Sequence, residues 1–440
     1  MHVKYLIVVL FVLGIFIPTV KSQNLQMLVD KKAKEIEAEM IVWRRHLHQN
    51  PELSNREFKT AEFIAKHLNK LGLKVETGVA KTGVVGLLDT GRPGPVIGLR
   101  ADMDGLPVKE RAPLSFASKV ETEFEGKTVN AMHACGHDTH VAIQMAAASV
   151  LVSMKDKLSG KIVFVFQPAE EGAPVGEEGG AKLMIKEGML KKYGIEVMFG
   201  LHISSDLNAG MLKYKTEGTL AAADRLYIKV KGKSSHGSRP WAGVDPIVTS
   251  AQIIIGLQTI ISRQTDLTKE AAVITIGQFN SGVRNNIIPE EAELIGTIRT
   301  LDTTMQKTIH EKIKKTAELI AESAGATAEV IITPYTPVTY NDPVLAAKML
   351  PTLENVAGED NVRVMVASTG AEDFAFYAKE IPSFFYFLGG KDPAADPMAV
   401  FPHHTPDFYV VEDGLILGVR AQCNLVLDFI AKYGDKKNKP

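Results

Sequence analysis

The amino-acid sequence predicts an α/β fold: a discontinuous catalytic domain with a central mixed, largely parallel sheet, and a smaller α+β block inserted into it. Three observations carry this expectation. Short apolar runs alternate with helically periodic stretches up to about residue 201. Near Thr219 the rhythm changes to β-α-β-β-α-β, the split-βαβ pattern. After Pro337 the first style returns. Alternation of strand and helix puts helices on the faces of parallel strands.

Residues 28–48 carry Ile36, Met40, Trp43 and Leu47 at helical spacing, and Pro51 stops the run. A second helix is expected over 57–71, closed by Gly72. The runs 96–101, 161–167 and 196–201 read as buried strands, with helices over 141–154 and 180–191. In the insert, strands over 225–230, 272–279, 292–299 and 328–332 interleave with helices over 244–263 and 305–323. A helix over 343–353, a strand over 384–388 and a helix over 415–432 complete the chain. The catalytic domain is thus expected over 23–218 and 337–440, and the insert over 219–336. No internal repeat or low-complexity segment interrupts them.

The 440 residues are 45% hydrophobic and 23% charged, enough chain for two or three real cores. With 50 Lys+Arg against 51 Asp+Glu, the net charge of −1 excludes the basic footprint of a nucleic-acid binder. Two cysteines, Cys135 and Cys423, cannot build a disulfide framework. The first 22 residues differ from the rest. After Lys4, residues 5–20 are apolar except for Gly14, Pro18 and Thr19, and Val20 and Ser22 sit at −3 and −1 of a cleavage point before Gln23. The run is shorter than the ~20 residues a spanning helix needs, so it reads as a cleaved secretory signal rather than an anchor. The mature chain, with 48 basic against 51 acidic residues, is then expected to be soluble, away from the membrane, and exported to a periplasm or the medium.

Several common motifs are absent. Gly232-Lys233-Ser234 lacks the earlier glycine of a phosphate loop, where Tyr227 stands, and neither G-x-S-x-G, G-x-G-x-x-G nor H-E-x-x-H occurs. What remains is a set of metal-type residues just past predicted strands: Asp102 and Asp104 after the first, Glu170 and Glu171 after the second, His202 after the third. Ligands of open α/β sheets bind outside the carboxyl ends of the strands. Carboxylates converging there repel one another unless a cation neutralises them.

The densest cluster is Met132-His133-Ala134-Cys135-Gly136-His137-Asp138-Thr139-His140. A turn at Gly136 aims Cys135 and His137 at one centre, and thiolate and imidazole both suit a borderline metal. The competing reading is a helix start capped by Asp138 or Thr139, and His133 and His140 read as local or supporting groups. Adjacent Glu170 and Glu171 point opposite ways in extended backbone, so one can ligate while the other handles the proton of an activated water. A solvated acidic turn continuing through Glu177 and Glu178 is the alternative. Pro402-His403-His404-Thr405-Pro406 offers further imidazoles, either of which can complete a metal shell. The segments 232–237 and 284–289 fit loop chemistry and substrate contact equally.

Taken together, L-R-A-D-M-D-G-L-P, M-H-A-C-G-H-D-T-H, F-Q-P-A-E-E-G, G-L-H, G-K-S-S-H-G-S-R-P, N-I-I-P, G-T-I-R and H-H-T-P-D-F occur in order over nearly the whole mature chain. This pattern resembles the amidohydrolase branch of the aminoacylase/carboxypeptidase-type dinuclear metallopeptidases, which includes hippurate, N-acyl-amino-acid and auxin-conjugate hydrolases. The resemblance implies two divalent metal ions per subunit (zinc, manganese or cobalt), an inserted lid domain, and a homodimer. It further implies Cys135, His137, Glu171, His202 and His404 as metal ligands, His404 being preferred to His403 because it directly precedes a small residue and proline. Glu170 resembles the general base and His236 a lid histidine that polarises the scissile carbonyl, often in the neighbouring subunit's site. Asn286 and Arg299 resemble groups that hold the substrate carboxylate. Two departures stand out: Trp241 replaces a second lid histidine, and Asp102 occupies a position that is a histidine ligand in more distant peptidases, leaving Asp102 and Asp104 as orienting groups.

The activity this implies is metal-dependent hydrolysis of an N-acyl amino acid to a carboxylic acid and a free amino acid. A dipeptidase or carboxypeptidase using the same site is the alternative within enzymes. A non-catalytic interaction domain is the alternative outside them; retention of both the ligand set and Glu170 argues against it.

Overall fold

The computed structural model describes residues 20–396 and 401–434. Residues 1–19, which carry most of the expected secretory signal, lie outside it, and the first helix runs continuously over Val20–Gln49. Among the described residues no helix is long and apolar enough to cross a membrane.

The large sheet has eight strands in the order Lys74–Val79, Gly83–Asp89, Lys161–Gln167, Val96–Asp102, Val197–Asn208, Ser383–Lys391, Leu212–Tyr214 and Val362–Val364. Its four central members, from Lys161–Gln167 to Ser383–Lys391, are mutually parallel, and antiparallel pairings flank them. Both faces are covered, so the central strands are apolar on both sides. In Lys161–Gln167, Ile162, Phe164 and Phe166 join one core cluster while Val163 and Val165 join the other. The first cluster packs beneath Val20–Gln49, His137–Ser153, Pro343–Ala357 and Leu415–Tyr433; the second lies beneath Gly180–Lys186 and Ala375–Glu380.

The same alternation places the chemistry. Ile97, Leu99 and Ala101 of Val96–Asp102 face the first cluster, which turns Arg100 and Asp102 to the second face. In Val197–Asn208, Phe199, Leu201 and Ile203 face the first cluster, so His202 shares the face of Arg100. His202 therefore lies inside a strand, not just past its end as expected, because pairing with Ser383–Lys391 extends the strand to Asn208.

The second sheet is antiparallel, in the order Ala272–Ser281, Glu291–Thr300, Ala222–Lys231, Thr327–Thr336. Helices Pro246–Gln264 and Thr303–Ser323 cover one face with their own core, and Asp245 and Asp302 cap their N-termini. This reproduces the expected β-α-β-β-α-β order. The helix expected over 180–191 is two short ones, Gly180–Lys186 and Met189–Tyr193, separated where Gly188 takes φ +85°.

Candidate metal centre

Helix His137–Ser153 starts at Gly136, whose φ of +88° turns the chain so that Cys135 and His137 flank one point. Neither Asp138 nor Thr139 caps it. A Cβ at Gly136 would stand 2.3 Å from Ile203 Cγ2, so only glycine permits this turn. The helix start is anchored from behind, where Asp138 Oδ2 meets Arg44 Nε at 3.0 Å and His48 Nδ1 at 2.9 Å.

His137 donates through Nδ1 to Asp104 Oδ1 at 3.2 Å. Asp104 also accepts the backbone N–H groups of Glu170 (3.2 Å) and Glu171 (3.1 Å) and the Ser54 hydroxyl (2.7 Å). It thereby fixes two protein segments against each other, the orienting task expected of it. His137 Nε2 faces Glu170 Oε2 and Glu171 Oε1, each at 3.9 Å, and has no hydrogen-bond partner. Glu171 Oε1 is likewise unsatisfied; His404 Nε2 lies 3.1 Å away but out of hydrogen-bond alignment. Buried polar atoms left facing one another across such a gap are the signature of a cation site.

Cys135 Sγ joins this group to a second. It lies 3.3 Å from His404 Nε2, 3.4 Å from His202 Nε2 and 3.6 Å from His403 Nδ1. His202 donates through Nδ1 to the Ile203 carbonyl at 2.6 Å, which leaves an Nε2 lone pair aimed at the sulfur side. His403 is arranged the other way: its Nε2 accepts the Ser205 N–H at 3.3 Å, so Nδ1 carries the proton and can only donate to sulfur. That tautomer favours His404 over His403 as a ligand. His404 itself sits at φ +63° and Ala169, just before Glu170, at φ +51°; non-glycine residues hold such conformations where the surroundings enforce them. His140 is fully used by Asp102 Oδ1 at Nδ1 and the Ile203 N–H (2.8 Å) at Nε2. His133 is buried with no hydrogen-bond partner at either nitrogen among the described residues.

Sequence reasoning singled out Asp102 but missed the groups bonded with it underneath. Arg100 is fully buried and bonds Gln167 Oε1 (2.9 Å), Asp102 Oδ2 (2.6 Å), Glu372 Oε1 (2.8 Å) and Asp373 Oδ1 (2.8 Å). The Asp373 N–H in turn donates to Glu170 Oε1 at 3.3 Å. The signal was present: Gly370-Ala371-Glu372-Asp373 repeats the small-residue-then-two-acids pattern of 168–171, and an arginine inside an apolar strand demands a partner.

Three carboxylates (Asp102, Glu372 and Asp373) therefore share one guanidinium, and Asp104, Glu170 and Glu171 add three more to the same cluster around His137. The imbalance shows in their titration. Burial, then the charges of Glu372 and Glu171, push Glu170 well above the usual carboxylate range. Burial raises Asp373 to about 7, against the pull of Arg100. Burial alone would lower His137, but Asp102 and Asp104 override it and raise it to about 10. Asp102 is buried too, yet Arg100, His137 and His140 hold it well below normal. A surplus of buried negative charge beside a thiol and several imidazoles fits divalent cations.

Of the expected site residues, Cys135, His137, Glu170, Glu171, His202 and His404 converge here. A cavity of about 1120 Å³ opens over them, and Arg299, with no ion-pair partner among the described residues, lies on its wall. His236 and Asn286 do not line it. Both are exposed and adjoin each other beside the short strand pair Ser235–His236 and Ile287–Ile288, where the Gly237 N–H donates to the Asn286 carbonyl at 2.8 Å. His236 Nδ1 accepts from the Ser238 N–H at 3.1 Å, which leaves Nε2–H free as a donor.

Residues 98–428 match the family described as Peptidase family M20/M25/M40. The chain belongs to that family. It is 39% identical to thermostable carboxypeptidase 2 of Saccharolobus solfataricus, over 91% of this chain and 97% of that one. It is 34% identical to IAA-amino acid hydrolase ILR1-like 4 of Arabidopsis thaliana, over 91% and 88% respectively. The crystal structure of the Bacillus subtilis YXEP protein, a dinuclear metal-binding peptidase from the M20 family, superposes with a TM-score of 0.74 at 33% identity, covering 90% of this chain and 98% of that one. As an M20 member, the protein is a metal-dependent hydrolase of amides.

Proposed function

We propose that this M20 hydrolase cleaves N-acyl amino acids, releasing a carboxylic acid and a free amino acid. The observation that carries the reading is Arg299: an unpaired guanidinium on the wall of the cavity that holds the acid cluster matches the planar carboxylate of an amino acid. Cys135, His137, Glu171, His202 and His404 would hold two divalent ions, with Cys135 and Glu171 each belonging to more than one candidate ligand group. Bound there, such ions supply Lewis acidity and lower the pKa of water.

The remaining work belongs to the chain. Glu170, kept in place by the Asp373 N–H, accepts a proton from the attacking water and returns it to the departing nitrogen. Arg299 orients the amino-acid end. His236 donates its free Nε2–H to the carbonyl oxygen from the lid over 219–336. Because His236 and Asn286 are exposed outside the cavity, they reach a substrate most simply from a second copy, so we place the protein as a homodimer; light scattering should then give twice the chain mass. Export is part of the same proposal, with a secreted N-terminus at Gln23.

A second reading, a carboxypeptidase or dipeptidase with the same groups, is favoured by the 39%-identical carboxypeptidase. Stripping metals, restoring zinc, manganese or cobalt singly, and measuring amino-acid release from acetyl-, benzoyl- and indoleacetyl-amino acids beside matching dipeptides separates the two. Turnover of the acylated substrates with metal is the expected result. Turnover of dipeptides alone would replace the first reading by the second.

A further inference from the structure

The cavity has a second cationic wall that the assignments above leave unused. Lys213 of Leu212–Tyr214 pairs across the sheet with Phe387, and Phe387 pairs on its other side with His202. Residues opposite one another in a ladder share a face, so His202, Phe387 and Lys213 form a row across three strands, with Lys213 roughly 10 Å from His202 by two inter-strand spacings. The ring centroids of His202 and Phe387 are 6.0 Å apart, and the Lys213 ammonium lies 5.5 Å from the Phe387 centroid. All three side chains line the cavity.

Lys213 Nζ donates to Asp206 Oδ1 at 2.7 Å, and the Ser204 hydroxyl donates to the same oxygen. The pair is lopsided: the lysine side chain is 16% exposed and the aspartate 59%. An ion pair that merely decorated a surface would leave both ends in water. Here the ammonium is drawn over an aromatic ring at the cavity wall, and an ammonium has three donors, of which Asp206 takes one.

We infer that Lys213 is a specificity-determining residue that binds an anionic group at the far end of the acyl chain, so that the preferred substrates are amino acids N-acylated by a dicarboxylic acid. This rests on the amidohydrolase reading: with the amide at the acid cluster and the amino-acid carboxylate on Arg299, the acyl chain runs over the Phe387 ring toward Lys213.

The test compares N-glutaryl- with N-valeryl-derivatives of one amino acid, chains of equal length that differ in the terminal charge. It also compares glutarate with valerate as ligands of the metal-loaded protein by calorimetry, which needs no turnover. A charge-assisted contact of this kind is worth about ten- to a hundredfold. Wild type should favour the glutaryl substrate, and glutarate, by at least about tenfold. Lys213→Met should bring both ratios near unity, Lys213→Arg should keep them, and Asp206→Asn, by freeing the ammonium, should increase them. Equal handling of both chains by wild type, or ratios indifferent to Lys213→Met, would overturn the inference. Absent valeryl and glutaryl turnover with an intact glutarate preference would instead count against the amidohydrolase reading alone.

Discussion

Glu170→Gln should lower kcat by about 10²- to 10⁴-fold, with substrate KM and bound metal little changed. The glutamine keeps the shape of the carboxylate and an oxygen that can accept the Asp373 N–H, but it cannot take up and return a proton. Glu170 also stands 3.9 Å from His137 Nε2, so the same side chain is placed to touch a cation. Metal content decides between these roles. Loss of activity with the metal complement retained identifies the proton carrier, whereas loss of metal together with activity would make Glu170 a ligand and move the base elsewhere. The carrier is the expected outcome, since Cys135, Glu171 and His404 converge through contacts of 3.1–3.3 Å while Glu170 lies on the Arg100–Asp373 side of the cluster.

The parts of this site that the sequence made legible are those whose residue types are chemically unusual. A cysteine and a histidine around one glycine, or two adjacent glutamates after a buried strand, have few structural reasons to exist, so Cys135, His137, Glu170 and Glu171 stood out before any fold was known. Of the supporting shell, only Asp102 and Asp104 did. Arg100 and Asp102 lie in a strand whose other residues are apolar, and Glu372 and Asp373 lie in a loop 270 residues later; only the sheet order brings them together. Short strands were lost for a different reason. Leu212–Tyr214 and Val362–Val364 are three residues each, too few to show a period of two, and they exist because they extend an edge already built by Ser383–Lys391. Val197–Asn208 runs past the strand expected over 196–201 because Ser204, Ser205 and Asp206 end the apolar run, whereas backbone pairing carries the strand on along the cavity wall.

Arg100→Met should cost about 3–5 kcal/mol of stability, the usual consequence of removing one partner from a buried charge group, measured by denaturant unfolding of the metal-free protein. Methionine fills most of the space, so the penalty is electrostatic: Asp102, Glu372 and Asp373 would remain in a dry interior without their shared guanidinium. The pH dependence distinguishes this from a packing defect. In the wild type Arg100 holds Asp102 well below its unfolded value, so that contribution is present above about pH 4 and is lost as pH falls through the folded-state value. In the variant burial raises the same carboxyl, and its destabilising effect grows as pH rises. The gap between wild type and variant should therefore widen from pH 5 to pH 8 and narrow in acid; a gap independent of pH would assign the loss to packing. Arg100→Lys restores the charge but supplies no planar fork for four acceptors on three segments, so it should recover only part of the stability and less of the activity. Divalent cations should reduce the deficit of both variants, because they neutralise the same surplus of carboxylates that Arg100 meets from below.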